Sequence, residues 1–194
     1  MKEAVIVSTA RTPIGKAYRG AFNNLEVPTL AAHAVRAAVA RAGIEGAEVD
    51  DCIVGAALQQ GSGGSNVARQ IAIAAGLPTS VAGMSLDRQC SSGLMSIATA
   101  AKQVIVDGSP IVVAGGVDSI SLVQNDKMNL FRAADPSVME IAPAVYMPMI
   151  DTAEIVANRY NVSREAQDEY ALESQKRTAA AQEAGRFDDE IVSV

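Results

Sequence analysis

The chain has 194 residues and a formal net charge of −6, with 49% of residues hydrophobic, 20% charged and no Trp. That composition suits an ordinary globular protein with one sizeable core or two small ones, packed from Ala, Val, Ile, Leu and Met. The acidic balance and the absence of any Lys/Arg cluster (Arg36 and Arg41 stand alone in an Ala-rich stretch) argue against a nucleic-acid partner.

The first apolar run, Ala4–Thr9 (AVIVST), is short and β-branched, ends at Arg11-Thr12-Pro13, and reads as a buried strand. It follows Glu3 and meets Arg11, which is not the pattern of a signal peptide. No run approaches the length of a membrane span, so no membrane partner is expected. Thr29 is a candidate N-cap for a helix running to Gly43, which suits the left-handed position past a helix end. Cys52–Ala57 (CIVGAA) reads as a second strand, followed by the glycine-rich Gly61–Asn66 and a helix from Val67 to Ala75. Gly83–Arg88 reads as a third strand. After it Leu94, Ile97, Ala98, Ala101, Val104 and Ile105 recur at helical spacing, with Gly108 as the stop. Pro110–Ala114 (PIVVA) reads as a fourth strand, closed by Gly115-Gly116.

Strands of continuous hydrophobicity alternate with helices, which predicts α/β layers around a sheet buried on both faces. Past Ser119 the pattern changes. Gln124–Met149 carries Pro136, Pro143 and Pro148 with no sustained period and reads as irregular. Two helices are then expected, Asp151–Tyr160 and one capped by Ser163 that runs to Ala184, with Glu173 and Arg177 as an i,i+4 pair. Ile191–Val194 looks like the start of a further strand. The expected division is a core at 1–119 and a second domain at 120–194.

Two cysteines, far apart, exclude a disulfide framework and fit a reducing cytoplasm. Cys52, inside a strand, reads as a small buried hydrophobe. Cys90, in Arg88-Gln89-Cys90-Ser91-Ser92-Gly93, falls between a predicted strand and a strongly periodic helix. A helix start offers unpaired N–H donors and partial positive charge, both of which favour the reactive thiolate. The small residues after Cys90 allow a substrate close to the backbone, and the Cys90 N–H is a possible oxyanion donor. On spacing alone, a reactive cysteine and a packing cysteine both remain open.

The stretch Arg88–Leu94 resembles the nucleophile motif of thiolases, and the likeness is spread in order along the chain. Arg11–Gly15 resembles the family's first strand and turn, and Asn66 with Ala68-Arg69-Gln70 the start of its second helix. Gly115–Ser121 is similar to the segment where the core gives way to the loop domain. Thr152-Ala153-Glu154, Ser163–Asp168, Gly185-Arg186-Phe187 and Glu190-Ile191-Val192 are similar to parts of that loop domain.

The resemblance implies a thiolase-like layered fold, here its N-terminal half. That half would hold a mixed, mostly parallel sheet with helices on both faces and part of an inserted loop, or lid, domain. It also implies that Cys90 takes the acyl group of 3-ketoacyl-CoA or acetyl-CoA. Coenzyme A thioesters are then the substrates, with no metal or other cofactor, and the full-length enzyme is a homo-oligomer (dimer or tetramer). Two positions depart from the family pattern: Asp118 stands where Glu is usual, and Ile150 where Gly is usual in a stretch near the bound CoA.

Thiolases are about twice this long, and their catalytic histidine and second cysteine lie in the other half. The chain's one histidine, His33, matches nothing in the family's pattern and receives no role. The expectation is therefore an incomplete or cut chain, nearly inactive alone. No residues are expected to hold a metal. Gly61–Asn66 lacks the Lys and Ser/Thr of a P-loop, and Gly115-Gly116 lacks dinucleotide spacing. The rival readings are a decarboxylating ketosynthase, and a CoA-binding or assembly module without turnover.

Overall fold

A computed structural model describes residues 3–194. The chain forms two compact units, one of residues up to Met128 with Glu190–Val194, the other Asn129–Asp189. Residues 120–128 lie in the first.

The first unit is a three-stranded parallel sheet with helices on both faces. Its strands are β1 (Asp51–Gly55), β2 (Ala82–Leu86) and β3 (Val112–Gly116), in the order β2-β1-β3. Cys52 pairs with Gly83 and Val113, and Gly55 with Leu86 and Gly116. Side chains alternate across a strand, so Cys52 and Val54 point to one face and Ile53 to the other. On the first face Cys52 and Val54 join a core with Val27, Val35, Val67, Ile71 and Leu77. These come from α1 (Val27–Ala42), α2 (Val67–Ala74) and the loop after α2. The second face carries α3 (Ser92–Lys102), which runs on through a π-helical turn to Gly108 at φ 85. All four buried positions of β1, Cys52 to Gly55, explain why that strand reads as a continuous apolar run.

The expected strand at Ala4–Thr9 is not formed. The segment joins no ladder, and Val5, Ile6 and Val7 are 72%, 74% and 76% exposed. Strand propensity does not suffice, because a strand exists only by exchanging backbone hydrogen bonds with a neighbour. The nearest sheet-like pairing lies just beyond it, where Arg11 and Ile191 form a parallel bridge. There the Arg11 N–H donates to the Glu190 carbonyl at 2.9 Å and the Val192 N–H to the Arg11 carbonyl at 2.8 Å. The strand expected from Ile191 is reduced to that bridge.

Helix α1 begins two residues before the expected cap at Thr29. Proline fits a first helical turn, and Pro28 occupies it. The Ser62 hydroxyl accepts from the Val27 N–H at 2.8 Å, which satisfies one of the unpaired donors of that end. Gly43 closes the helix at φ 68, as its position predicts. Helix α2 starts after Asn66, whose φ of 54 is left-handed; its side-chain amide donates to the Gly83 carbonyl at 2.9 Å and its Oδ1 accepts from the Ser85 hydroxyl at 3.1 Å. A short helix, α4 (Ile120–Val123), follows β3.

The second unit is helical: α5 (Pro136–Ile141), α6 (Met149–Tyr160) and α7 (Arg164–Glu183). Helix α5 interrupts the stretch read as irregular, capped by the Asp135 carboxylate, which accepts from the Ser137 N–H at 2.9 Å. Helix α6 starts two residues earlier than expected. Ser163 caps α7 through a bond from the Ala166 N–H, and Arg177 meets Glu173 at 2.8 Å. No helix among the described residues is long and apolar enough to cross a membrane.

Candidate active site

Cys90 lies in the five-residue turn between β2 and α3, with a free, exposed thiol. The turn is possible because α3 starts almost in contact with the sheet. A Cβ on Gly55 would stand 2.2 Å from the Ser92 carbonyl carbon, and one on Gly116 would stand 2.9 Å from the Gly93 Cα. Any side chain at Gly55 would drive the helix start off β1. Ser96, fully buried one turn later, places its hydroxyl 2.6 Å from the Gly93 carbonyl and 2.7 Å from the Gly115 carbonyl, and this pins α3 to β3.

The turn itself is wound tightly. Gln89 has φ 51, left-handed backbone that a non-glycine residue adopts only when its surroundings hold it there. The Asp87 carboxylate accepts from the Gln89 N–H at 2.6 Å, and the buried Ser92 hydroxyl donates to the Gln89 carbonyl at 2.6 Å. Cys90 is thereby lifted to the rim of an open cavity of about 270 Å³, lined by Gly55 and Gly116 from the strand ends, Gln89, Ser92 and Gly93 from the turn and helix, and Val117 and Asp118 after β3.

Asp118 is not free in this cavity. Its two oxygens accept from the Ala57 N–H at 3.1 Å and the Leu58 N–H at 2.9 Å, tying the loop after β1 to the exit of β3. Among the described residues, Cys90 and Asp118 are the titratable groups lining the cavity, and His33 sits away from it in α1. Ile150 lies in the first turn of α6, 72% exposed and without the positive φ that would call for glycine. Cys52 is fully buried in β1, as its sequence context predicts. Burial above all, with the neighbouring Asp51 charge, pushes its thiol up to about 12. The two cysteines thus occupy opposite environments, one closed and protonated, the other at an open rim. No group of His, Cys, Asp and Glu among the described residues could hold a metal ion.

The sequence singles out Cys90 but neither the clamp of Asp87 and Ser92 nor the contact of Gly55 with Ser92. The small residues after Cys90 signalled close approach; which strand they would approach depends on register.

Residues 4–194 match the family described as thiolase, N-terminal domain. The chain is 43% identical to the 3-ketoacyl-CoA thiolase of Bacillus subtilis, over all of this chain and 49% of that protein. It is 41% identical to the acetyl-CoA acetyltransferase of Cupriavidus necator, over all of this chain and 51% of that one. The crystal structure of the Bacillus anthracis acetyl-CoA acetyltransferase superposes with a TM-score of 0.83 at 38% identity, covering 99% of this chain and 50% of that chain. The chain thus spans about half the length of the relatives it matches. A match over nearly every residue, joined to a parallel sheet whose second strand turns through Cys90 into a helix, shows that this chain belongs to the thiolase family and corresponds to its N-terminal domain.

Proposed function

We propose that the chain supplies the nucleophile of a CoA-dependent acyl transfer in which Cys90 carries the acyl group. The observation that carries this reading is the exposed Cys90 thiol at the β2–α3 turn, beside an open cavity, in a chain of thiolase descent. In thiolysis the Cys90 thiolate attacks the 3-keto carbon, the bond between C2 and C3 breaks, and acetyl-CoA leaves once its enolate takes a proton. The shortened acyl group then passes from Cys90 to a second CoA. In reverse, an acetyl-Cys90 is attacked by the enolate of acetyl-CoA. Dividing the exchange at a covalent thioester replaces one difficult step by two easier ones.

The Cys90 N–H, which has no hydrogen-bond partner among the described residues, is the donor suited to the oxyanion formed in each step. Proton transfer needs a further group. Asp118 is engaged by two backbone N–H groups, and the cavity lining carries no histidine. A positioned base typically adds about 10²–10⁴ in rate, so a polypeptide of these 194 residues is expected to take up an acyl group slowly and to turn over poorly. Coenzyme A thioesters are the substrates in this reading, without metal or redox cofactor, in a reducing cytoplasm. The working assembly is a homo-oligomer, a dimer or tetramer, and residues 129–189 belong to the lid.

The test is incubation with acetyl-CoA followed by acid quench and peptide mass analysis. One acetyl group on the peptide containing Cys90, absent in Cys90→Ala, is the expected result. Tight CoA binding with no acyl-enzyme would overturn it in favour of a binding module.

A further inference from the structure

The peptide unit joining Gln89 to Cys90 is held at its carbonyl end. The Gln89 carbonyl accepts from the Ser92 hydroxyl at 2.6 Å and from the Ser92 N–H at 3.0 Å. Carbonyl and N–H point in opposite directions across a trans peptide, so these two bonds aim the Cys90 N–H away from the helix start. The same Ser92 oxygen accepts from the Arg88 N–H at 2.9 Å, and the Asp87 carboxylate accepts from the Gln89 N–H at 2.6 Å. Gln89 is therefore bonded at both its N–H and its carbonyl while its φ is 51. Ser92 is only 3% exposed, whereas its neighbour Ser91 is exposed and its hydroxyl donates to the Arg88 carbonyl at 2.8 Å. A buried hydroxyl with its donor and acceptor capacity both used fixes a geometry far better than an exposed one.

We propose that Ser92 is a positioning residue for acyl transfer at Cys90, assisted by Asp87. It acts through the Gln89 carbonyl to aim the Cys90 N–H at the place where the thioester oxygen gains charge. The proposal rests on the reading of Cys90 as the acyl-accepting nucleophile. Ser92 exchanges no proton with substrate. Its hydroxyl holds the turn in the strained form, so that oxyanion donor and thiol keep a fixed relation while the acyl group arrives.

The experiment uses the whole chain and measures acetylation of Cys90 by acetyl-CoA over a range of concentrations, beside alkylation of the same thiol by iodoacetamide. Ser92→Ala lowers the saturating acetylation rate at least about tenfold, the scale expected when a reacting group is slightly misplaced, and leaves the half-saturating concentration unchanged. Alkylation stays within about twofold, because that reagent needs only an accessible thiolate. Asp87 is exposed, so Asp87→Ala tests the same clamp without opening the core, and Asp87→Asn, which keeps the acceptor oxygen, restores the rate. Continued resistance of buried Cys52 to alkylation shows that each variant is folded. Equal acetylation by wild type, Ser92→Ala and Asp87→Ala would overturn the proposal and leave the Cys90 reading standing. A wild-type chain that is alkylated at Cys90 yet never acetylated would overturn that reading, and the positioning role with it.

Discussion

Gly55 and Ser92 touch backbone to backbone: a Cβ on the last residue of β1 would stand 2.2 Å from the carbonyl carbon and oxygen of the first residue of α3. Backbone atoms of a strand and a helix start have no rotamer in which to retreat. Gly55→Ala is therefore expected to destabilise the chain by at least ~2 kcal/mol, as overpacking of a tight site does. It should also disturb the turn that presents Cys90. Denaturant midpoints measured beside the rate of Cys90 alkylation test both effects. An unchanged midpoint would mean that α3 can shift off β1 freely.

Cys52 makes stability depend on alkaline pH. Its thiol stays protonated in the folded chain up to about 12, against 9.0 for an unhindered thiol. Between those values the folded state holds a proton that the unfolded state has lost, so stability falls as pH rises. The contribution is fully present below 9.0 and gone by about 12. Cys52→Ala removes this slope at the cost of a small cavity. Unfolding free energies compared for both chains across that window test it, and equal slopes would refute it.

Asp118 binds two N–H groups that nothing else among the described bonds satisfies. Asp118→Ala is expected to cost about 1 kcal/mol, the low end for such losses because water reaches the site, and to loosen residues 57–58. Asp118→Asn keeps one acceptor oxygen and should lie between wild type and Ala. Hydrogen exchange at the Ala57 and Leu58 amides is the direct measurement, with faster exchange expected in Ala.

Asn66 combines a left-handed φ of 54 with bonds to Gly83 and Ser85. Asn66→Gly loses the bonds alone, whereas Asn66→Ala also meets the left-handed strain, about 1 kcal/mol or more. Gly should therefore be the more stable of the two variants in urea unfolding. The opposite order would mean that the loop before α2 rearranges.

Several parts of this molecule could be read along the chain. The runs at Cys52 and Pro110, the helix from Leu94 to Gly108 and the caps at Gly43 and Ser163 depend on local periodicity and backbone chemistry, which neighbours in sequence decide. The ordered likeness around Cys90 singled out that residue, and the fold places its thiol exposed at the rim of a cavity. The strand expected at Ala4–Thr9 was not legible in that way, since only a hydrogen-bonded neighbour makes a strand, and Val5–Val7 lie open instead. Thr29 misled as a cap because the stronger signal was Pro28, together with a hydroxyl from distant Ser62.

Residue types and their spacing thus determined the α/β class, the buried character of Cys52 and the location of Cys90 between strand and helix. Tertiary structure alone decided what surrounds that thiol. Parallel register brings Gly55 and Gly116 side by side beneath the start of α3, and their missing side chains let Ser92 sink into the sheet and grip the Gln89 carbonyl. Gly55 and Ser92 are far apart in sequence, and no local propensity specifies an approach so close that a Cβ on Gly55 would stand 2.2 Å from the Ser92 carbonyl. It follows from close packing of a helix on a sheet, where excluded volume selects the one residue without a side chain.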